Sequence, residues 1–201
     1  MTAPRLGWVN TVKEDIRVFQ MVYPQHGLLK YFYQPGLRAL IIFRLSQLFY
    51  RSIITRPISY ILVTLNDILC GVWIGPKVEA GPGLFLGHPR GLVVNPDTKI
   101  GSYCSIIQRV TLGGPSITIG DFVEINAGAQ LISNDRGRRS LKVGNNVIIG
   151  AGAVVLKDVP DCTLVVGVPA KVVKEISHED NWFNYRHRLN KELGNYDSGK
   201  D

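Results

Sequence analysis

The sequence predicts an α+β chain: an N-terminal helical region, then a parallel β-helix of hexapeptide repeats, then a C-terminal helical tail. Two periods carry this. Apolar residues recur at helical spacing as far as Cys70, and from Ile74 to Val155 they recur every six residues. A third observation is the glycine that directly follows many of the six-step positions. The boundaries fall at 1–71 for the helical region, 72–173 for the β-helix and 174–201 for the tail.

Thr11-Val12-Lys13-Glu14 has the form of a capping box, in which Thr and Glu satisfy orphan amides at a helix start. Val12, Ile16, Phe19 and Val22 follow at helical spacing, and Pro24 ends the run. Pro35 suits a first helical turn, with Leu37, Leu40, Ile41, Leu45 and Leu48 behind it. Pro57 opens a third helix running to Cys70, where Gly71 supplies the stop. Arg44 and Arg51 share one helix face. They read as a solvated face, or as a salt bridge to another subunit, in preference to a contact with anionic lipid.

Stepping by six from Ile74 gives Ala80, Leu86 and Leu92. After a slip of two residues come Ile100, Ile106 and Leu112, and after one more Ile119, Ile125 and Leu131. Twelve residues further on the pattern resumes with Val143, Ile149 and Val155. Every one of these positions is apolar, and Gly follows at 75, 81, 87, 101, 113, 120, 144 and 150. This is the pattern of a parallel β-helix, with the apolar residue inside and the glycine turning the backbone without a Cβ penalty. Three faces make a coil of about 18 residues, so the segment gives between about four and five coils. Asn134 to Arg139 is too polar to lie inside and reads as an extruded loop.

The chain has 201 residues, 45% of them hydrophobic and 19% charged, which excludes disorder as the main state. Cys70, Cys104 and Cys162 lie far apart, giving neither a disulfide framework nor a zinc site, and suit a cytoplasmic protein with reduced thiols. Cys104 reads as structural. No apolar signal segment opens the chain, and Arg38, Arg44, Arg51, Arg56 and Asp67 interrupt its most apolar stretch, so no spanning helix is expected. The net charge of +7 suits an anionic partner, yet the basic residues do not cluster with aromatics as nucleic-acid binding requires.

The segments LFLGHPRGLVV, KIGSYCSI, VTLGG, IGAGAVVLKDVP and VVGVPAKVV resemble the hexapeptide acyltransferases. The likeness is to the branch that contains serine acetyltransferase and O-acetyltransferases of bacterial polysaccharide. It covers Trp73 to Lys174 and, weakly, the helical FRLSQLFYR. The resemblance implies a left-handed coil, a homotrimer, and acetyl-coenzyme A (acetyl-CoA) as co-substrate in a groove between subunits, with no metal. It places His88 as the catalytic base, a role suited to imidazole near neutral pH. The implied acetyl-CoA contacts are Gly113, Gly114, Ala127 and Ala151, with Lys171 meeting a phosphate. His88 is the only histidine of the repeat, whereas a gamma-class carbonic anhydrase needs three to hold zinc. His26, His178 and His187 lie outside the repeat and are assigned no role.

The sequence departs from serine acetyltransferases where an amino-acid acceptor is held. Gly87 stands where they carry Asp, no second His follows Gly114, and two further Asp positions align with Tyr23 and Trp73. Serine brings an ammonium and a carboxylate that need charged partners. The reading is therefore an acetyl-CoA-dependent O-acetyltransferase acting on a sugar or polysaccharide precursor. The alternatives are the serine O-acetyltransferase of cysteine biosynthesis and a non-catalytic solenoid scaffold.

Overall fold

The computed structural model describes residues 7–24, 33–133, 140–186 and 188. The predicted loop at 134–139, and His26 and His187, lie outside the described residues. Three helices come first: α1 (Trp8–Val22), α2 (Pro35–Tyr50) and α3 (Arg56–Cys70). Pro35 and Pro57 occupy first-turn positions, and Gly71 ends α3 in the left-handed conformation at φ 67°. The capping box is corrected. α1 starts at Trp8 with Gly7 as N-cap, so Thr11 lies inside the helix. The indole of Trp8 donates to the Arg44 carbonyl at 2.8 Å, which ties this earlier turn to α2. Glu14 makes no cap and accepts from the Tyr103 hydroxyl at 3.1 Å.

The repeat forms a parallel solenoid with three faces. The first face stacks β1 (Val72–Ile74), β4 (Leu92–Val94), β7 (Thr111–Gly113), β10 (Gln130–Ile132) and β13 (Val154–Val155). The second stacks β2 (Glu79–Ala80), β5 (Thr98–Ile100), β8 (Ile117–Ile119) and β11 (Leu141–Val143). The third stacks β3 (Phe85–Gly87), β6 (Ser105–Ile107), β9 (Glu124–Ile125), β12 (Ile148–Ile149) and β14 (Thr163–Val166), and ends with β15 (Lys171–Glu175) antiparallel on β14.

The six-step residues line the interior, all buried except the half-buried Ala80. On the third face Leu86, Ile106, Ile125, Ile149 and Val165 stack in register. One step is corrected. Val94, and not Leu92, pairs with both Ile74 and Leu112. The two-residue slip therefore falls before β4, at the corner that holds His88.

Arg44 is also corrected. It is neither solvated nor bridged to another subunit, but buried in an ion pair with Asp15 of its own chain. Its Nε donates to Asp15 Oδ2 at 2.8 Å, and its terminal nitrogens donate to the Ala80 and Gly81 carbonyls at 2.8 and 2.6 Å. The Leu84 amide donates to Asp15 Oδ1 at 3.0 Å. Corner carbonyls turned out of a ladder need such donors. Burial pushes the Asp15 carboxyl above its ordinary value, and the Arg44 guanidinium draws it back. After β15 come a 3₁₀ turn (His178–Asp180) and a small helical tail, with helical residues at 182–186 and 188. Trp182 from that tail lies tilted with its ring 5.6 Å from that of Phe85 and donates to the Tyr103 carbonyl at 2.8 Å.

Candidate active site

The corner between the third and first faces is built from one residue per coil in the upper levels. Gln108 directly follows the paired Ile107, and by strand register Ala127 and Ala151 take the same place in the next two coils. The levels are tied by Gly128 N to Gln108 O at 2.9 Å and Gly152 N to Ala127 O at 2.8 Å. Below Gln108 the corner holds three residues, His88, Pro89 and Arg90, between Gly87 and Gly91. This is the two-residue slip in structural form. The bulge turns on His88, which sits in the left-handed region at φ 47° with its carbonyl accepting from Arg90 N at 2.8 Å.

The bulge opens a cleft of about 580 Å³ lined by His88, Arg90, Gln108, Arg109, Ala127 and Gly128 among others. His88, Arg90 and Arg109 are exposed, so one imidazole and two guanidiniums face the same space. Among the described residues no carboxylate lines this cleft, and none hydrogen-bonds the His88 ring. Guanidiniums suit phosphate through paired N–H donors. Up the corner the relief is low: a Cβ on Gly152 would meet nothing within 4 Å, and one on Gly128 only the Gly152 amide at 4.0 Å. An extended arm fits such a track beside small residues.

Gly87 is closed in. A Cβ there would come within 2.8 Å of Ile107 Cγ2 and 3.0 Å of Phe85 Cε1. A carboxylate at 87 would force a branched aliphatic side chain to move.

The predicted residues separate into groups. His88 and Ala127 share the cleft, and Ala151 continues their corner one coil higher. Gly113 and Gly114 lie at the opposite edge of the first face, where a Cβ on Gly114 (φ 103°) would collide with Ser133. Lys171 opens β15 opposite Val166, is exposed, and is not among the residues lining the cleft. Gln108 and Arg109 were not singled out by sequence reasoning. The available signal was the coil length, since they follow Ile107 as His88 follows Gly87. His178, assigned no role, places Nε2 3.3 Å from the Cys162 sulfur. Among the described residues no group of three or more His, Cys, Asp or Glu could hold a metal.

A hexapeptide solenoid with its one repeat histidine turned out beside a cationic cleft fits the class of hexapeptide acyltransferases that the sequence resembles. No family model matches the chain. It is 36% identical over 176 residues to serine acetyltransferase of Synechococcus elongatus, covering 81% of this chain and 68% of that protein. It is 32% identical over 188 residues to serine acetyltransferase of Buchnera aphidicola, covering 89% and 69%. Among solved structures, serine acetyltransferase of Neisseria gonorrhoeae in complex with serine aligns with a TM-score of 0.74 and 31% identity, covering 83% of this chain and 69% of that one. The Brucella abortus enzyme in complex with coenzyme A aligns at 0.75 and 31%, covering 85% and 69%. The chain belongs to the serine acetyltransferase family. These similarities lend nothing specific to the polysaccharide branch of the resemblance.

Proposed function

We propose that the chain moves an acetyl group from acetyl-CoA to the hydroxyl of L-serine, with His88 as general base. The observation that carries the transfer chemistry is the His88 bulge, which presents an exposed imidazole to a cleft beside Arg90 and Arg109. The family relatives supply the acceptor. Acetyl-CoA brings the acyl group activated as a thioester. His88 takes the proton from the attacking hydroxyl and returns it to the departing thiol, so no proton is left over. Arg90 and Arg109 set positive charge beside the reacting thioester, and Ala127 and Ala151 leave room for the donor's arm to run up the corner. Gly113 and Gly114 stand at the other edge of the first face. In a homotrimer they serve the donor held at a neighbouring copy's His88 corner, and Lys171 meets one of its phosphates.

A neutral acceptor, such as a sugar hydroxyl, is the second reading. It is favoured by the lack, among the described residues, of any carboxylate lining the cleft and by the apolar closure of Gly87. An ammonium without a partner in a partly buried site costs affinity. Steady-state kinetics with both acceptor classes decides between them. A kcat/KM of about 10⁴ M⁻¹s⁻¹ or more for L-serine upholds the first reading. Faster release of free thiol with a sugar acceptor and negligible turnover of L-serine upholds the second.

A further inference from the structure

Helix α3 is inside out for a helix in water. The side it packs on its own chain consists of Ser59, Val63, Asn66 and Cys70, and the Asn66 amide donates to the Ala39 carbonyl at 3.1 Å. Its outer side carries Ile58, Ile61, Leu65, Ile68 and Leu69 at three- and four-residue steps, with Ile61 58% and Ile68 72% exposed. The turn leading into it adds Ile53 and Ile54, 76% and 85% exposed. A surface helix of a globular protein places these classes the other way round. An apolar stripe of this extent marks an interaction surface.

Charge selects the occupant. Arg51 and Arg56 bracket Ile53 and Ile54, and Asp67 is the one acidic residue from Arg51 to Cys70. The Arg56 guanidinium lies 4.7 Å over the Tyr50 ring, and Tyr50 meets Tyr60 edge-on at 6.1 Å. The turn thus presents two isoleucines at its tip, with cations and amphipathic tyrosines behind them. That order matches the depth profile of a bilayer surface: apolar side chains innermost, then tyrosine rings and arginines at anionic headgroups. No helix among the described residues is long and apolar enough to cross a membrane, so α3 would lie in the interface plane. We propose that the α2–α3 turn and the outer stripe of α3 form a docking surface for an anionic lipid bilayer. The surface is distinct from the His88 cleft, and this inference does not rest on the acyl-transfer reading.

Co-sedimentation of the full chain with phosphatidylcholine vesicles, and with the same vesicles containing a minority of phosphatidylglycerol, tests it. The wild type should pellet with the mixed vesicles and much less with the neutral ones. Ile54→Glu and Ile61→Glu should each weaken binding roughly tenfold or more, the worth of one buried isoleucine. Arg51→Ser with Arg56→Ser should remove the preference for the anionic vesicles. All variants should keep the wild-type circular dichroism, mass by light scattering and thiol release in solution. Ile54 is exposed at a turn, so its variant tests the surface without disturbing the core. Failure of the wild type to pellet, or unchanged binding by Ile54→Glu, would overturn the proposal. A changed mass in Ile54→Glu or Ile61→Glu would assign the stripe to a second copy instead.

Discussion

Gly36 of α2 lies directly against the backbone carbonyl of Leu86 in β3, so close that a Cβ at 36 would overlap it. The Phe19 ring closes the same spot at 3.3 Å from that Cβ position. The contact seats the helical region on the first coil, one residue from Gly87 and the His88 corner.

Gly36→Ala is accordingly expected to destabilise the chain, although alanine raises helix propensity by about 1 kcal/mol. Forced overpacking costs about 1–3 kcal/mol, which outweighs that gain. Urea denaturation of both proteins measures the difference. A more stable variant would show that α2 can slide away from β3 at no cost.

Arg44→Met leaves Asp15 buried without its cation and strips donors from Ala80 and Gly81. Breaking a buried pair in this way costs about 3–5 kcal/mol. Its pH dependence has a definite sign. Asp15 already has a raised folded value, dominated by burial, and losing Arg44 raises it further. A raised carboxylate is penalised once it ionises, so the loss is smallest below its unfolded value near pH ~4, where only the carbonyl bonds are missed, and grows as pH rises. Denaturation at several pH values should show the gap widening towards neutrality.

His88→Ala should lower kcat by about 10²–10⁴, the usual contribution of a general base. Arg109→Ala should change the KM for acetyl-CoA more than kcat, since the guanidinium lines the donor's cleft and moves no proton. Thiol-release kinetics with acetyl-CoA as the varied substrate separates the two patterns.

The three thiols should differ sharply in reactivity. Burial pushes Cys104 up to about 12 and raises Cys70, so neither forms thiolate near neutral pH. Cys162 is only half-buried and has the His178 imidazole beside it. Titration with an aromatic disulfide at mildly alkaline pH should find one fast thiol per chain, absent in Cys162→Ser. Fast reaction of Cys104 would mean that the coil opens far more readily than its packing implies.

The solenoid was legible in the sequence because one inward residue per face repeats in the chain itself, from Ile74 to Val155. The position of the slip was not. Leu92 and Val94 are both apolar and both buried, and stepping by six cannot tell which one stacks on Ile74. Only strand register moves the two extra residues to the His88 corner. Arg44 was misread for a related reason, since its partner Asp15 lies in another helix, 29 residues away. His88, which lines the cleft, stood out from its motif alone. Gln108 and Arg109 could not, because the cleft is made by laying one coil on another.

At the upper end of the third face β15 runs back along β14, while at the lower end α2 packs on β3 and α3 on β1. A bare coil end offers unpaired amides at the spacing of one more coil, a template on which an identical molecule could add. A reversed strand cannot be continued in parallel register, and a helix offers no strand edge at all. Further coils are therefore obstructed at the upper end of the third face and at the lower ends of the first and third.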